Sequence, residues 1–242
     1  KTSNGSLGDI IVNSSYGGIF DIAFNKDDKN VKTQTQGIIS YARYESPSRI
    51  DSQILINRKR LNLSLNRNIE FTVWETQKEP YITKDNKYTP EIPQQGLYWI
   101  LQGSLDLFRY DDHSKQDLFQ LKTGPKLVVG KFQKDYLDYT ELSILPRFKF
   151  NKGNSPFSFD QIVDKRVIEI SLKQHLYGPL ALKLSGEINL EENVSKDDEL
   201  INPTIDISWN RRAYNANIYY NFDTEAGGIK FDIHTFNFMG SG

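Results

Sequence analysis

The 242 residues include no cysteine, one methionine, three histidines and no long apolar run. Without cysteine there are no disulfides, no thiolate metal sites and no thiol nucleophile, while the redox compartment stays open. His113, His175 and His234 are far apart in sequence, so a histidine-rich metal centre would have to gather them from distant hairpins. No charge sign dominates: 30 basic residues stand against 31 acidic ones, and nothing pulls the chain as a whole towards nucleic acid. A membrane-spanning helix needs roughly 18–20 apolar residues in a row. The best stretches, Ile10 to Phe24 and Gly96 to Leu107, are broken by Asn13, Ser14, Ser15 and Asp21 and by Gln102, Ser104 and Asp106. Helical insertion is therefore excluded.

Catalytic signatures are also missing. There is no G-x-S-x-G elbow, no phosphate-binding glycine motif and no H-E-x-x-H. The acidic stretches Asp27-Asp28 and Asp197-Asp198-Glu199 lack the glycine-containing loop that wraps calcium and read as solvated hairpin tips. The expectation is a non-enzyme without metal or cofactor. The chain starts at Lys1 with no signal peptide, and reads as the C-terminal part of a longer protein.

What the sequence does contain is alternation. Leu180, Leu182, Leu184, Gly186, Ile188 and Leu190 share one strand face, with Lys183, Ser185 and Glu187 on the other. The same period of two runs through Leu97 to Leu107, Thr140 to Phe150 and Tyr214 to Phe222. Shorter versions are Phe20 to Phe24, Leu61 to Leu65, Ile69 to Val73, Ile168 to Leu172, Ile205 to Trp209 and Ile229 to Ile233. Between them lie turn-forming clusters such as Asn66-Arg67-Asn68, Asp111 to Ser114, Asn151 to Pro156, Tyr177-Gly178-Pro179 and Ala226-Gly227-Gly228. Gln77 to Gln95, with Pro80, Pro90 and Pro93, reads as a long loop. The spacing leaves no room for crossover helices, so the strands pair antiparallel in a meander, and residues 1–242 form one domain.

Such a meander must bury or close its edges. The longer runs reach the roughly 9–11 residues of an outer-membrane strand, and 14 Phe, 13 Tyr and 3 Trp suit interfacial girdles. The fold expected is all-β, an antiparallel meander closed into a β-barrel of roughly 12 strands. A soluble β-sandwich is the alternative on pattern alone. The final strand, Gly228 to Phe238, supplies a candidate barrel-assembly signal in Phe231, Ile233, Phe236 and Phe238. Phe236 and Phe238 fall on the face opposite Phe231 and Ile233, which requires a bulge near Thr235 or two inward rings.

The succession Tyr177-Gly178-Pro179-Leu180, Trp209-Asn210-Arg211-Arg212-Ala213-Tyr214, Tyr219-Tyr220-Asn221, Glu225-Ala226-Gly227-Gly228-Ile229 and Phe236-Asn237-Phe238-Met239-Gly240 resembles the C-terminal domain of a cyanobacterial LptD-like outer-membrane family. The resemblance covers the last third of the chain. It implies a non-catalytic barrel in lipopolysaccharide or lipid transport or outer-membrane assembly. Its partners would be outer-membrane lipid or lipopolysaccharide and other envelope transport or barrel-assembly proteins, with no nucleic acid. The cysteine pairs of proteobacterial members are absent. A lipid exporter needs one weak seam, expected here between Gly17 to Asn25 and Gly228 to Phe238, with Gly17, Gly18, Gly227 and Gly228 as candidate seam glycines. Arg58, Lys59, Arg60, Arg211 and Arg212 are candidate lipid-phosphate contacts, favoured if the two clusters share one end of the barrel. The expected location is the outer membrane. The rivals are a soluble, periplasmic-type β-domain binding a lipid or protein partner, and a passive porin-like channel.

Overall fold

The computed structural model describes residues 2–7, 10–28, 30–76, 88–89, 93–192 and 199–233, with side chains from residue 17 onward. Among these residues the chain is all-β. Twelve strands run in order: β1 (Thr2–Leu7), β2 (Ile10–Asp28), β3 (Val31–Pro47), β4 (Leu55–Glu75), β5 (Gly96–Tyr110), β6 (Lys115–Gly130), β7 (Tyr139–Gly153), β8 (Arg166–Tyr177), β9 (Leu180–Asn189), β10 (Leu200–Asn210), β11 (Tyr214–Asn221) and β12 (Ala226–Ile233). One short 3-10 turn, Ser158–Asp160, lies between β7 and β8. Each strand neighbours the one before it in a single sheet, which is the expected meander.

The expected closure into a barrel is not made. Among the described residues β12 pairs with β11 alone, and β1 with β2 alone. Among the described residues no pairing joins Gly17 to Asn25 with Gly228 to Ile233, and the rest of the expected seam, to Phe238, lies outside them. β2 pairs with β1 only from Ile10 to Ser15, so from Gly17 to Asp28 its single partner is β3. Among the described residues, one long sheet edge and the edge of β12 have no strand partner.

Several strands are longer than their sequence suggested. Asn57 to Arg60 and Asn66-Arg67-Asn68 are not turns but lie inside the 21-residue β4. The reason is phase. Leu61, Leu63, Leu65, Arg67, Ile69, Phe71 and Val73 keep one parity, so the strand passes through Arg67 without a slip. β3 and β6 were hidden by the polar run Lys32 to Gln36 and by the Gly124-Pro125 pair, which resembles a break.

The chain divides into two compact units. The first comprises Lys1–Glu70, Leu101–Thr123 and Arg147–Arg166, and the second Phe71–Ile100, Gly124–Pro146 and Val167–Gly242. In the second, Tyr88, Tyr98, Val128, Phe132, Tyr139 and Ala181 form the buried cluster. In the first, fully buried Phe157 packs edge-on against Tyr44 and Tyr110, with ring centroids 5.9 Å apart in each pair.

Candidate functional site

The strand registers show which side chains share a face. In the second unit, Ile168, Ile170 and Leu172 of β8 stand opposite Ile188, Gly186 and Leu184 of β9. Leu184 and Leu182 stand opposite Ile205 and Ile207 of β10, Ile207 opposite Ile218 of β11, and Ile218 opposite Ile229 of β12. One face of β8 to β12 is therefore a continuous apolar band, half-buried on β8 and increasingly exposed towards β12: Leu184 is 42% exposed, Ile218 60% and Phe231 59%. Trp99 and Tyr220 are exposed too, and Leu101, Leu182 and Ile188 are half-buried, so none of them enters a core.

The opposite face of the same strands is polar. Glu169 and Glu187 face each other, as do Ser171 and Ser185, and Lys173 and Lys183; Asp206 stands beside Lys183. Directly opposed like charges destabilise a sheet unless other charges balance them. Here Asp206 and Glu141 are close enough to attract Lys173, while Lys183 repels it. The face continues through Ser208 and Asn210 of β10 to Asn215, Asn217 and Asn221 of β11. Buried Asn210 donates through Nδ2 to Ser208 Oγ at 2.9 Å and to the Pro179 carbonyl at 3.3 Å.

Near one set of strand ends in this unit, the β6–β7 loop covers the polar face. His175, fully buried on β8, accepts from the Asp138 N–H at Nδ1 (3.1 Å) and donates from Nε2 to the Gly178 carbonyl (2.8 Å). Both ring nitrogens are thereby used in fixing two turns, which leaves no free lone pair for metal or base chemistry. The Asp138 carboxylate caps the same loop by accepting from the N–H groups of Gln133 and Lys134 at 2.9 Å. Gly130 opens the loop at φ +87°, where a Cβ would meet the Asp138 carbonyl oxygen at 1.6 Å, so only glycine fits. Tyr88 donates to Asp135 Oδ1 at 3.0 Å, and burial together with that carboxylate pushes its phenol above the ordinary value.

The first unit repeats the arrangement. Phe20, Ile39, Leu65 and Leu105 are exposed, whereas Arg60, Asn62, Ser64, Asn66 and Asn68 on the other face of β4 are partly sequestered. The segment after β7 folds over this polar face. Asp160 accepts from Arg60 Nη1 at 2.5 Å, from the Tyr110 hydroxyl at 2.7 Å and from the Ser155 hydroxyl at 3.2 Å. Arg60 also donates to the Tyr44 hydroxyl at 2.9 Å and lies over the Tyr44 ring, 4.5 Å from its centroid. Gln116 bridges the segment, donating to the Asp160 carbonyl at 2.8 Å and accepting from the Ser155 N–H at 2.7 Å. The sequence reading missed both coverings. Their signal was aromatic residues inside polar loops: Phe132 after Gly130, and Phe157 and Phe159 after Ser155-Pro156.

The residues singled out in the sequence are distributed as follows. Arg58 and Arg60 lie on the polar face of β4 and both have carboxylate partners, Arg58 in Asp112 at 3.5 Å and Arg60 in Asp160. Lys59 is on the exposed face. Arg211 and Arg212 sit between β10 and β11, with the Arg211 guanidinium 5.4 Å from the Trp209 ring centroid. The two basic clusters fall in different compact units, Arg58 to Arg60 in the first and Arg211 and Arg212 in the second. Gly17 lies where a Cβ would meet the Tyr41 carbonyl at 2.1 Å, while Gly18 has open space. Gly227 and Gly228 are covered by β11: a Cβ there would meet the Tyr219 carbonyl at 2.7 Å and the Tyr219 hydroxyl at 2.7 Å respectively. Phe231 and Ile233 belong to the exposed apolar face, and Phe236, Phe238 and His234 lie outside the described residues. Among the described residues no group of His, Asp and Glu is placed to hold a metal ion.

Fold and faces together define a class: an all-β antiparallel meander that leaves much of its apolar strand face exposed, with its buried aromatic clusters under the loops that cover the polar face. The family follows from the sequence. Residues 1–237 match the DUF3769 family, described as a protein of unknown function, and the chain belongs to that family. No curated protein and no solved structure matches it.

Proposed function

We propose that the chain forms wall of an outer-membrane β-barrel acting in lipopolysaccharide or lipid transport or in outer-membrane assembly, without catalysis. The carrying observation is the inversion of the two faces. A soluble monomer rarely leaves a contiguous apolar patch larger than about 300–600 Å² in water, yet here the exposed face of strand after strand is Leu, Ile, Phe and Trp. In a bilayer that face meets acyl chains at no cost, and the polar face lines an aqueous lumen.

The same reading accounts for strand length. Strands of 15 to 21 residues, such as β4 and β5, exceed the roughly 9–11 needed to cross, and their ends can stand outside the hydrocarbon. Closure belongs to the proposal as well. Lipid offers no hydrogen-bond partners, so each free edge must meet a strand, either from this chain or from a longer protein of which it is a part. The lipid, the transport partners and the LptD-like character rest on the sequence resemblance. The test is fractionation followed by electrophoresis. A barrel sediments with the outer membrane and migrates differently in SDS before and after boiling. Recovery in the soluble fraction without detergent favours a soluble lipid- or protein-binding domain instead. A steady, unselective conductance in planar bilayers, with no change in surface lipopolysaccharide on depletion, favours a passive channel.

A further inference from the structure

The polar face of the first unit carries a cleft of about 540 Å³, lined chiefly by Gln34, Gln36, Asn66, Asn68, Gln102 and Gln120. That volume is within the roughly 300–1,000 Å³ range of small-molecule sites. With Asn25, which stands opposite Gln34, the lining holds seven carboxamides from β2, β3, β4, β5 and β6, so one face of five consecutive strands delivers them to one place. The lining holds no carboxylate and no aromatic ring, and Arg67, which borders it, has the parity of the opposite face of β4.

Two of these amides are already engaged: Gln36 donates to Asp21 at 2.8 Å and Asn66 to Ser64 at 3.4 Å. The side chains of Gln34, Asn68, Gln102 and Gln120 make no hydrogen bond among the described residues, and Asn68 Oδ1 is buried without a partner. A buried acceptor left unpaired is costly, and native proteins rarely keep one without a use for it.

We infer that this cleft binds an uncharged oligosaccharide. A carboxamide presents one acceptor and two donors in a plane, which suits the adjacent hydroxyls of a sugar, each both donor and acceptor. Anionic ligands would want a cluster of cations, and nucleobases a stacking ring, and the cleft has neither. Without an aromatic platform the site holds the sugar weakly and exchanges it quickly. The inference goes beyond the proposed transport role and does not depend on the membrane: a chain that stays soluble yet binds such sugars still satisfies it.

The test uses the full chain in a zwitterionic detergent, because sugar-headed detergents would compete. It is screened on an array of neutral and acidic oligosaccharides, and the strongest neutral one is then titrated, both free and as its alkyl glycoside. Neutral oligosaccharides should be retained. Asn68→Leu combined with Gln102→Leu should weaken both forms at least tenfold, whereas Asn217→Leu, on the polar face of β11, should leave binding unchanged. An unchanged far-ultraviolet circular dichroism spectrum and thermal midpoint show that the variants still fold. Retention of acidic glycans alone, retention of no neutral glycan, or equal binding by the double variant would overturn the assignment. So would alkyl-glycoside binding that survives the double variant, since the contact would then lie on the apolar face.

Discussion

Asp160 and Arg60 show how much a single pair can carry. Their side chains are 8% and 13% exposed, and the carboxylate also holds Tyr110 and Ser155. Removing one partner of a buried pair leaves an uncompensated charge, at a cost of about 3–5 kcal/mol. Asp160→Ala should therefore lower the denaturant midpoint markedly, and Asp160→Ala with Arg60→Met should recover part of the loss; a double variant no better than the single one would rule out charge burial as the cause. Asp112 is the milder case. Burial alone would raise its carboxyl above the ordinary aspartate range, but bonds from the Ser114 hydroxyl and N–H and the nearby Arg58 outweigh it and hold it below that range. A carboxylate whose value is lowered by folding contributes stability above its unfolded value and loses it as pH falls through the folded one. The Asp112→Asn variant should be less stable than the parent at neutral pH by roughly 0.2–1 kcal/mol, the scale of an exposed pair. The gap should shrink below pH 4 in urea titrations, and a gap independent of pH would discount the charge. Neither pairing was legible in the sequence, because Arg60 reads as one residue of a basic cluster and Asp160 stands 100 positions away.

At the scale of elements, alternation made the strands visible wherever both faces kept their character. β9 was read almost to its ends, since Leu, Leu, Gly and Ile alternate with Lys, Ser and Glu from Leu182 to Ile188. β4 was cut in two because Asn66-Arg67-Asn68 resembles a turn by residue type although its phase is continuous. The loops over the polar face left only a weak mark, the aromatic residues Phe132 and Phe157 inside polar segments, and a local pattern does not say which face such a ring will cover. The face inversion makes a sharp prediction for β9. A cation at the bilayer midplane on the lipid side costs about 2–4 kcal/mol, while the lumen side tolerates it. Leu184→Arg should lower folding stability in lipid vesicles by that order, measured by urea titration of the migration shift. Ser185→Arg, one residue on, should change it little. Equal losses at the two positions would remove the distinction between the faces.

For the molecule as a whole, the sequence carried the meander, the antiparallel pairing and the near-absence of helix, because each follows from period and spacing alone. Closure did not follow. It depends on two edges that have no partner among the described residues, β12 and the Gly17 to Asp28 stretch of β2, and no local pattern specifies what meets them. The carboxamide cleft was equally hidden, since its residues are scattered from Asn25 to Gln120 and meet only when five strands align. The central claim is that one face of this sheet meets lipid and the other water. The absence of cysteine makes it directly measurable, because any thiol introduced is unique. Single cysteines placed in turn from Ala181 to Ile188 of β9, in protein folded into lipid vesicles, would be labelled with a fluorophore and quenched from the hydrocarbon or from water. The account predicts strict alternation, with positions 182, 184, 186 and 188 quenched from the lipid and 181, 183, 185 and 187 from the aqueous side or shielded. Water access at all eight positions, or no alternation between neighbours, would contradict it.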